Sequence, residues 1–193
     1  MRTSHMRTAV HLVLALAMLA GAARAQTPAV PPAPVSAAVP NPTYITIPLE
    51  IAVNRPAAEV WKRVGKYCDI AEWLRIPNCT ITAGKDGEIG AVRSVANEVL
   101  VGRTELSYTY TQPVRDGRPY NLYHGTLEAR PVTATTSKLV YTLFFDISML
   151  ADDAARERDR AQKVSAFTTA LANMKILAEG GTLPPAPPRG GRQ

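Results

Sequence analysis

The chain has 193 residues, 46% of them hydrophobic, with 22 basic and 16 acidic residues and a formal net charge of +6. Five of the arginines lie near the termini, at Arg2, Arg7, Arg24, Arg189 and Arg192, so the central part carries a net charge of only +1. Nucleic-acid binding rests on clustered basic residues that neutralise phosphates, so this near-neutral domain argues against that class and we expect no nucleic-acid partner.

Residues 1–25 are typical of a secretory signal peptide. Arg2 and Arg7 precede an apolar run over residues 9–20, and the small residues before position 26 fit cleavage after Ala25. That run is too short for a permanent transmembrane helix, and no cysteine precedes Cys68 as a site for a lipid anchor. We therefore expect a periplasmic or secreted protein without a stable membrane anchor.

Two low-complexity segments flank the predicted domain. Residues 26–42 are rich in proline and alanine, and residues 181–193 are rich in proline, glycine and arginine. Neither segment can bury enough apolar surface to offset the entropy of ordering, so we predict a linker and a disordered tail. One domain over residues 43–180 remains, a size that allows a substantial core.

The domain begins with an alternating strand and two short helices. Apolar and polar residues alternate over residues 44–54, and Pro48 indicates an edge strand or a bulge. A helix is predicted over residues 54–64, with Pro56 near its first position, and a second helix over residues 69–75.

Six further strands are predicted from the renewed two-residue alternation. Short turns, including those at Gly87, Asn97 and Gly117, separate most of these strands, which is typical of an antiparallel meander. The predicted strands cover residues 78–84, 89–96, 98–102, 106–112, 120–130 and 137–147.

A long helix over residues 151–179 closes the domain. Asp152 and Asp153 are suited to cap its start, and the glycines at 180 and 181 are a stop signal. One apolar stripe recurs at three- and four-residue spacing along it, formed by Val164, Phe167, Leu171, Met174 and Ala178. Because this stripe must be buried, we predict an α+β fold in which a seven-strand sheet wraps around the helix.

This order of elements resembles the helix-grip fold of the START-like superfamily, specifically its SRPBCC or polyketide cyclase/dehydrase group. The matching segments are residues 54–61 at the first helix, 90–93, 123–127 and 145–146. The resemblance spans residues 43–179. It implies a curved sheet that grips the long helix around an internal cavity for a hydrophobic or amphipathic small molecule.

Alternation identifies the residues that would face this cavity. On the sixth strand Tyr123 and Leu127 share the inner face, whereas His124 faces solvent. The inner residues of the fifth and seventh strands are Tyr108, Tyr110, Tyr141, Leu143 and Phe145. The four tyrosines either form hydrogen bonds with a ligand or water inside a pocket, or fill a core and form hydrogen bonds with one another. The pattern alone does not decide between these alternatives, and the family resemblance favours the pocket.

Three polar residues could complete the wall of the cavity. Arg93 could pair with a ligand carboxylate if it faces inward, but the sequence favours an outward, solvent-exposed position. Thr169 and Asn173 follow Ser165 at four-residue spacing beside the apolar stripe, so they either line one wall or form a solvated flank.

Residues for metal binding and nucleophilic catalysis are sparse. His5 and His11 leave with the signal peptide, so His124 is the only histidine of the mature chain, and no zinc, phosphate-loop or serine-nucleophile motif occurs. We expect no metal and no cofactor. No catalytic residue stands out, and acid–base catalysis by a carboxylate or a tyrosine stays open.

Cys68 and Cys79 are the only two cysteines of a chain predicted to be exported. A disulfide across so short a loop would stabilise the fold by about 3 kcal/mol in the chain-entropy model. Two separate buried thiols are the alternative. The absence of a C-x-x-C spacing argues against a redox role.

Three functions are consistent with the sequence. The first is binding of a hydrophobic or aromatic small molecule, a lipid included, in the implied cavity. The second is an enzyme of the cyclase or dehydratase kind that uses the same cavity. The third is an envelope interaction module whose cavity is collapsed.

Overall fold

The protein is described by a computed structural model over residues 39–114 and 120–185. In these residues the strands pair in the order β1-β7-β6-β5-β4-β3-β2, every pair antiparallel, and the predicted α+β helix-grip fold is confirmed. The elements are β1 (Tyr44–Val53), α1 (Ala57–Val64), α2 (Ile70–Trp73), β2 (Ile81–Ala83), β3 (Val92–Arg93), β4 (Glu98–Arg103), β5 (Ser107–Gln112), β6 (Tyr123–Pro131), β7 (Ser137–Asp146) and α3 (Asp153–Ala178).

Helix α3 begins at the predicted cap. The Asp152 carboxylate accepts a hydrogen bond of 2.7 Å from the Ala155 amide, which satisfies one free N–H group of the first turn. At the other end Gly180 has a φ of 88°, a left-handed conformation that glycine adopts without strain. The fully buried residues of α3 lie in its C-terminal half, at Ala170, Leu171, Asn173, Met174 and Leu177. Its N-terminal half is more exposed.

The longest strand pairing joins β1 to β7, from Tyr44 opposite Asp146 to Val53 opposite Ser137. Strand β1 is the outermost strand on this side of the described sheet. That position tolerates Pro48, which has no amide to donate, as the sequence predicted. Helix α3 packs against β1 and β7 and against the two short helices.

Strands β2 and β3 are much shorter than predicted, with three and two residues. In the segment between these two strands, Gly84 and Gly90 have positive φ angles. Just after β3, Ala96 and Asn97 adopt left-handed conformations. These conformations break regular strand pairing, so turns replace most of the predicted extended chain. Strand β6 likewise starts three residues late because Leu122 has a φ of 48°.

Several terminal and loop predictions fall partly or wholly outside the described residues. The predicted signal peptide, the linker up to residue 38, the turn at Gly117 and residues 186–193 lie there. Residues 181–185 are described, and they contact the domain: Leu183 packs against the core, and the Arg75 guanidinium donates to the Pro184 carbonyl. In the described part of the chain, no helix combines the length and apolar character needed to cross a membrane.

Candidate ligand cavity between the sheet and the long helix

A cavity of about 600 Å³ lies between the N-terminal half of α3, helix α2 and one end of strands β4, β5 and β6. Small-molecule sites typically occupy about 300–1,000 Å³. The cavity is lined by Ile70, Leu74, Val95, Ala96, Glu98, Tyr110, Gln112, Tyr120, Tyr123, Asp159, Gln162, Lys163, Ala166 and Phe167. The helix-grip arrangement therefore leaves a partly open space large enough for one small molecule.

Nine of the 14 residues that line the cavity are apolar or aromatic. Ile70 comes from α2 and Phe167 from α3. Tyr120 meets Phe145 edge-on with ring centroids 5.3 Å apart, and Tyr123 stacks on Phe145 at 5.1 Å. Phe145 is fully buried and thereby supports both cavity tyrosines from behind.

A buried ion pair forms one polar part of the wall. Strands β3 and β4 place Arg93 directly opposite Glu98. The Arg93 Nε donates to Glu98 Oε2 at 2.5 Å, and its Nη1 donates to the Tyr67 carbonyl at 2.6 Å. The other Glu98 oxygen accepts from Gln112 Nε2 at 2.7 Å. The expected outward position of Arg93 is wrong: its side chain is fully buried, and a protein carboxylate already neutralises it.

Aromatic rings surround the Arg93 guanidinium. Its Cζ lies 4.3 Å from the ring centre of Tyr67, 4.8 Å from that of Tyr110 and 5.7 Å from that of Tyr108. Burial disfavours the cation, but Tyr108 and Glu98 outweigh that effect, and the pKa of Arg93 lies above its usual range. Arg93 is therefore a permanent cation held inside the protein.

Two of the predicted tyrosines bond to each other. The hydroxyl oxygens of Tyr110 and Tyr141 are 2.9 Å apart. Burial raises the pKa of both phenols well above the ordinary value, so both stay protonated at physiological pH. Each hydroxyl carries a single proton, so one phenol donates within the pair and the other keeps its proton for another acceptor. Tyr110 borders the cavity, so the pair joins the core to the wall.

A second polar cluster lies at the α3 side of the cavity. Lys163 Nζ donates to Asp159 Oδ1 at 2.6 Å and to the Tyr120 hydroxyl oxygen at 3.0 Å. The Tyr120 hydroxyl in turn donates to Asp159. Both charged side chains of this cluster are only 12% exposed. The charges of Lys163 and Asp159 cancel, so the cluster is neutral overall. It could form hydrogen bonds with a polar group of a ligand.

The structure separates the residues predicted for the site into three groups. Tyr110 and Tyr123 line the cavity. Four others are fully buried in the core: Leu127, Tyr141, Leu143 and Phe145. Tyr108 lines a different pocket at the far end of its strand, described below.

The two α3 residues predicted for the cavity wall do not reach it. Thr169 is exposed and its hydroxyl donates to the Ser165 carbonyl, so the solvated-flank alternative holds for Thr169. Asn173 is buried, but its Nδ2 donates to the Trp73 carbonyl at 2.9 Å and fixes α2 to α3. His124 lies on the outer face of β6, as predicted, with Nδ1 2.7 Å from the Leu122 carbonyl oxygen.

Six polar or aromatic residues of the cavity were missed from the sequence: Glu98, Gln112, Tyr120, Asp159, Gln162 and Lys163. Phe167 was predicted only as part of the buried stripe of the long helix. One signal for the missed residues was present. Asp159 and Lys163 stand four residues apart, the spacing that puts two side chains on one helix face. Among the described residues no cluster of three or more histidine, cysteine or acidic side chains could hold a metal ion.

The cysteines are also placed by the structure. Cys68 and Cys79 form a disulfide with a Cα–Cα distance of 5.3 Å. It ties the segment between α1 and α2 to the approach to β2. Ile70 of the cavity follows two residues after Cys68, so the bridge stiffens one border of the site.

Comparisons with known proteins agree with this arrangement. Residues 44–179 match the family described as polyketide cyclase/dehydrase and lipid transport. A Thermobifida fusca protein solved by NMR is similar at 25% identity, over 70% of this chain and 95% of that chain, with a TM-score of 0.59. No curated protein sequence matches the chain.

Two further solved structures share the fold. The Zhui aromatase/cyclase from Streptomyces sp. R1128 is 19% identical over 72% of this chain and 100% of that chain, with a TM-score of 0.53. A Nitrosospira multiformis protein is 22% identical over 67% of this chain and 96% of its own, with a TM-score of 0.52. Since the family match covers most of the domain, the chain belongs to the polyketide cyclase/dehydrase and lipid transport family, with a START-like fold.

Proposed function

We propose that this protein binds an amphipathic small molecule in the cavity between the sheet and α3. The observation that carries the proposal is the wall of the 600 Å³ cavity, in which nine apolar or aromatic residues adjoin two polar clusters. Burial of a ligand's apolar body would contribute about 25 cal/mol per Å². The Glu98–Gln112 and Tyr120–Asp159–Lys163 clusters would bond its polar group and set its orientation.

The charges of the cavity favour binding without chemistry. Glu98 is already paired with Arg93, and Asp159 with Lys163. Tyr110 is held protonated by burial. A general base needs a pKa near the working pH and an accessible lone pair, and these paired groups are poorly suited to that role.

The proposal includes export and a lipid-like ligand class. The signal-peptide features of residues 1–25 support delivery to the periplasm or the exterior. The disulfide between Cys68 and Cys79 suits such an oxidising compartment. The family description names lipid transport, which supports lipids among the candidate ligands.

A second candidate function is a cyclase or dehydratase reaction. The observation that favours it is Tyr120, a phenol that borders the cavity and bonds both Asp159 and Lys163. Such a hydroxyl could pass a proton to or from a bound ketone or alcohol. Tyr120→Phe would then abolish turnover while keeping the affinity for the ligand, whereas a pure binding protein would show no turnover in either form.

Native mass spectrometry of the protein purified from its own host tests the binding proposal. We expect a noncovalent adduct that is lost on denaturation, and a higher melting temperature with matching members of a library of fatty acids, phenols and aromatic ketones. A cavity without any adduct and without any thermal shift across the library would refute the proposal and favour the interaction module with a collapsed cavity.

A further inference from the structure

A second pocket, of about 360 Å³, lies at the opposite end of strands β4 and β5. Arg103 and Tyr108 pair at that end of the two strands, whereas Glu98 and Gln112 of the larger cavity lie at the other end. Helix α1 and the turn around Gly87 form the remaining walls. The pocket is within the size range of sites for small ligands, about 300–1,000 Å³.

The floor of the second pocket is aromatic. Trp61 and Tyr108 have ring centroids 5.6 Å apart, and Tyr67 meets Tyr108 edge-on at 5.4 Å. Gly65 lets the Trp61 ring lie directly against the backbone, because a Cβ at that position would be 2.3 Å from the ring. Trp61 is therefore held in place as a flat surface on which a ligand ring could stack.

The rim of the second pocket carries an excess of positive charge. Lys62 lies in the last turn of α1, and Lys66 follows two residues after the helix ends. Arg103 is the third basic residue of the pocket, and Asp86 is its single acidic residue. Arg103 donates to the Gly87 carbonyl. Within the described residues the ammonium groups of Lys62 and Lys66 make no hydrogen bond and no ion pair, and Lys66 has only a longer-range electrostatic interaction with Asp69. Both ammonium groups can therefore contact an added anion.

A buried layer separates the second pocket from the larger cavity. The Arg93 guanidinium lies over the ring of Tyr67, which borders the second pocket, and over the ring of Tyr110, which borders the cavity. Its partner Glu98 faces the cavity side. The two spaces are thus different sites with different chemistry: one has closely paired charges, and the other has an excess of exposed cations.

We propose that the second pocket binds a small aromatic carboxylate. The ring would stack on Trp61, and the carboxylate would lie between Lys62 and Lys66. A neutral analogue of the same shape would lose the ammonium contacts. Because these cations are exposed, added salt would also weaken binding of the acid.

Titration with 1-naphthoate and the neutral 1-naphthamide, followed by tryptophan fluorescence, tests this proposal on the mature protein. We expect the naphthoate affinity of Lys62→Gln/Lys66→Gln to fall about tenfold, the scale of two lost charge contacts at exposed positions. The matched control is Arg130→Gln/Lys138→Gln, which removes two exposed cations that pair with Glu128 and Glu50 on another surface. We expect the control to bind like the wild type.

Amide shifts in NMR spectra locate the bound naphthoate. Shifts centred on Gly65 and Leu100 support the second site. Shifts centred on Tyr123 and Phe167 instead would place naphthoate in the larger cavity, which overturns the second site and leaves the proposed function standing. Equal affinity for naphthoate and naphthamide, an equal loss in both double variants, or no binding by the wild type would also overturn it.

Discussion

Arg93 shows how a single side chain controls the interior of this protein. A buried cation is costly unless an anion and further acceptors surround it. Glu98 supplies the anion and the Tyr67 carbonyl supplies another acceptor. This arrangement occupies space that a ligand carboxylate would otherwise need, so Arg93 is a structural cation that separates the two pockets.

We predict that Arg93→Met lowers the free energy of unfolding by about 3–5 kcal/mol, because it leaves Glu98 buried without its cation. The double variant Arg93→Met/Glu98→Leu should regain much of that loss, since no uncompensated charge remains. Urea denaturation of the two variants and the wild type measures the difference. A double variant as unstable as Arg93→Met alone would show that packing around the guanidinium, and not the charge, dominates.

We predict that Tyr110→Phe and Tyr141→Phe each lower the free energy of unfolding by about 1 kcal/mol, because each leaves the other hydroxyl without its partner. The double variant should cost little more than either single change. His124→Ala is the control on the outer face: it removes the hydrogen bond to the Leu122 carbonyl, so it should cost at most about 1 kcal/mol of stability and leave ligand binding unchanged. A large effect of His124→Ala would contradict the observed register of β6, since a shift by one residue exchanges its two faces.

Inward-facing residues were predictable from the sequence only where strands are long and regular. Alternation placed Tyr110, Tyr123 and Tyr141 inward and His124 outward, in agreement with the structure. It failed for Arg93, because the turn residues 94–97, two of them left-handed, set the orientation of the short strand β3. Arg93 lies opposite Glu98 across this tight turn. The alternation of apolar and polar residues does not show that such a charged pair is buried.

At the scale of elements, the contact between β5 and β6 depends on one glycine. The Tyr110 ring lies over Gly125, where a Cβ would fall 2.4 Å from the ring. We predict that Gly125→Ala lowers the free energy of unfolding by about 1–3 kcal/mol, since the buried ring has to shift. Gly102→Ala is the matched control in β4, where the Cβ would meet Thr109 at 3.4 Å, an ordinary contact. Equal effects in thermal melts would contradict the role of Gly125.

The end of β7 is fixed by a buried carboxylate. Asp146 accepts hydrogen bonds from the Thr43 amide at 2.8 Å and from the Ser148 amide and hydroxyl at 3.0 and 2.7 Å. Burial alone would raise the pKa of Asp146, but the hydrogen bonds from Ser148, Thr43 and Asn121 outweigh burial and lower it. Asp146 thereby joins the start of β1 to the segment that leads into α3.

We predict a pH-dependent effect of Asp146→Asn on stability. The folded-state pKa is lowered, so the ionised group stabilises the fold above its unfolded-state pKa of about 3.9, and this stability is lost as the pH falls through the folded-state pKa. At pH 7 the variant should lose about 1–3 kcal/mol. Urea denaturation from pH 7 downward should show the gap to the wild type narrowing below about pH 4. A gap that stays constant with pH would contradict this account.

Strong local signals explain which elements were predictable. The capped and regularly striped α3 and the alternating β1 and β7 agree closely with their predicted ranges. Strands β2 and β3 were overestimated, because alternation continues through residues whose backbone turns left-handed. The cavity itself was implied by the family resemblance, while its polar clusters depend on contacts between distant elements, such as Tyr120 with Asp159, which no local pattern contains.

At the scale of the whole molecule, the central claim is that the space between sheet and α3 is a binding site. The site depends on the exposed N-terminal half of α3, because the C-terminal half is buried against the sheet. Ala166, at the middle of α3, is exposed and lines the cavity next to that half. Ala161 is also exposed on α3 but does not border the cavity, which makes it a matched control for the same substitution.

The most direct test is the affinity of a neutral apolar probe, N-phenyl-1-naphthylamine, for the wild type, Ala166→Phe and Ala161→Phe. The phenyl ring at position 166 would fill part of the cavity without entering the core, so we predict affinity at least about tenfold weaker for Ala166→Phe. Ala161→Phe should bind like the wild type. Equal affinity of all three proteins would contradict the claim that this cavity binds the ligand.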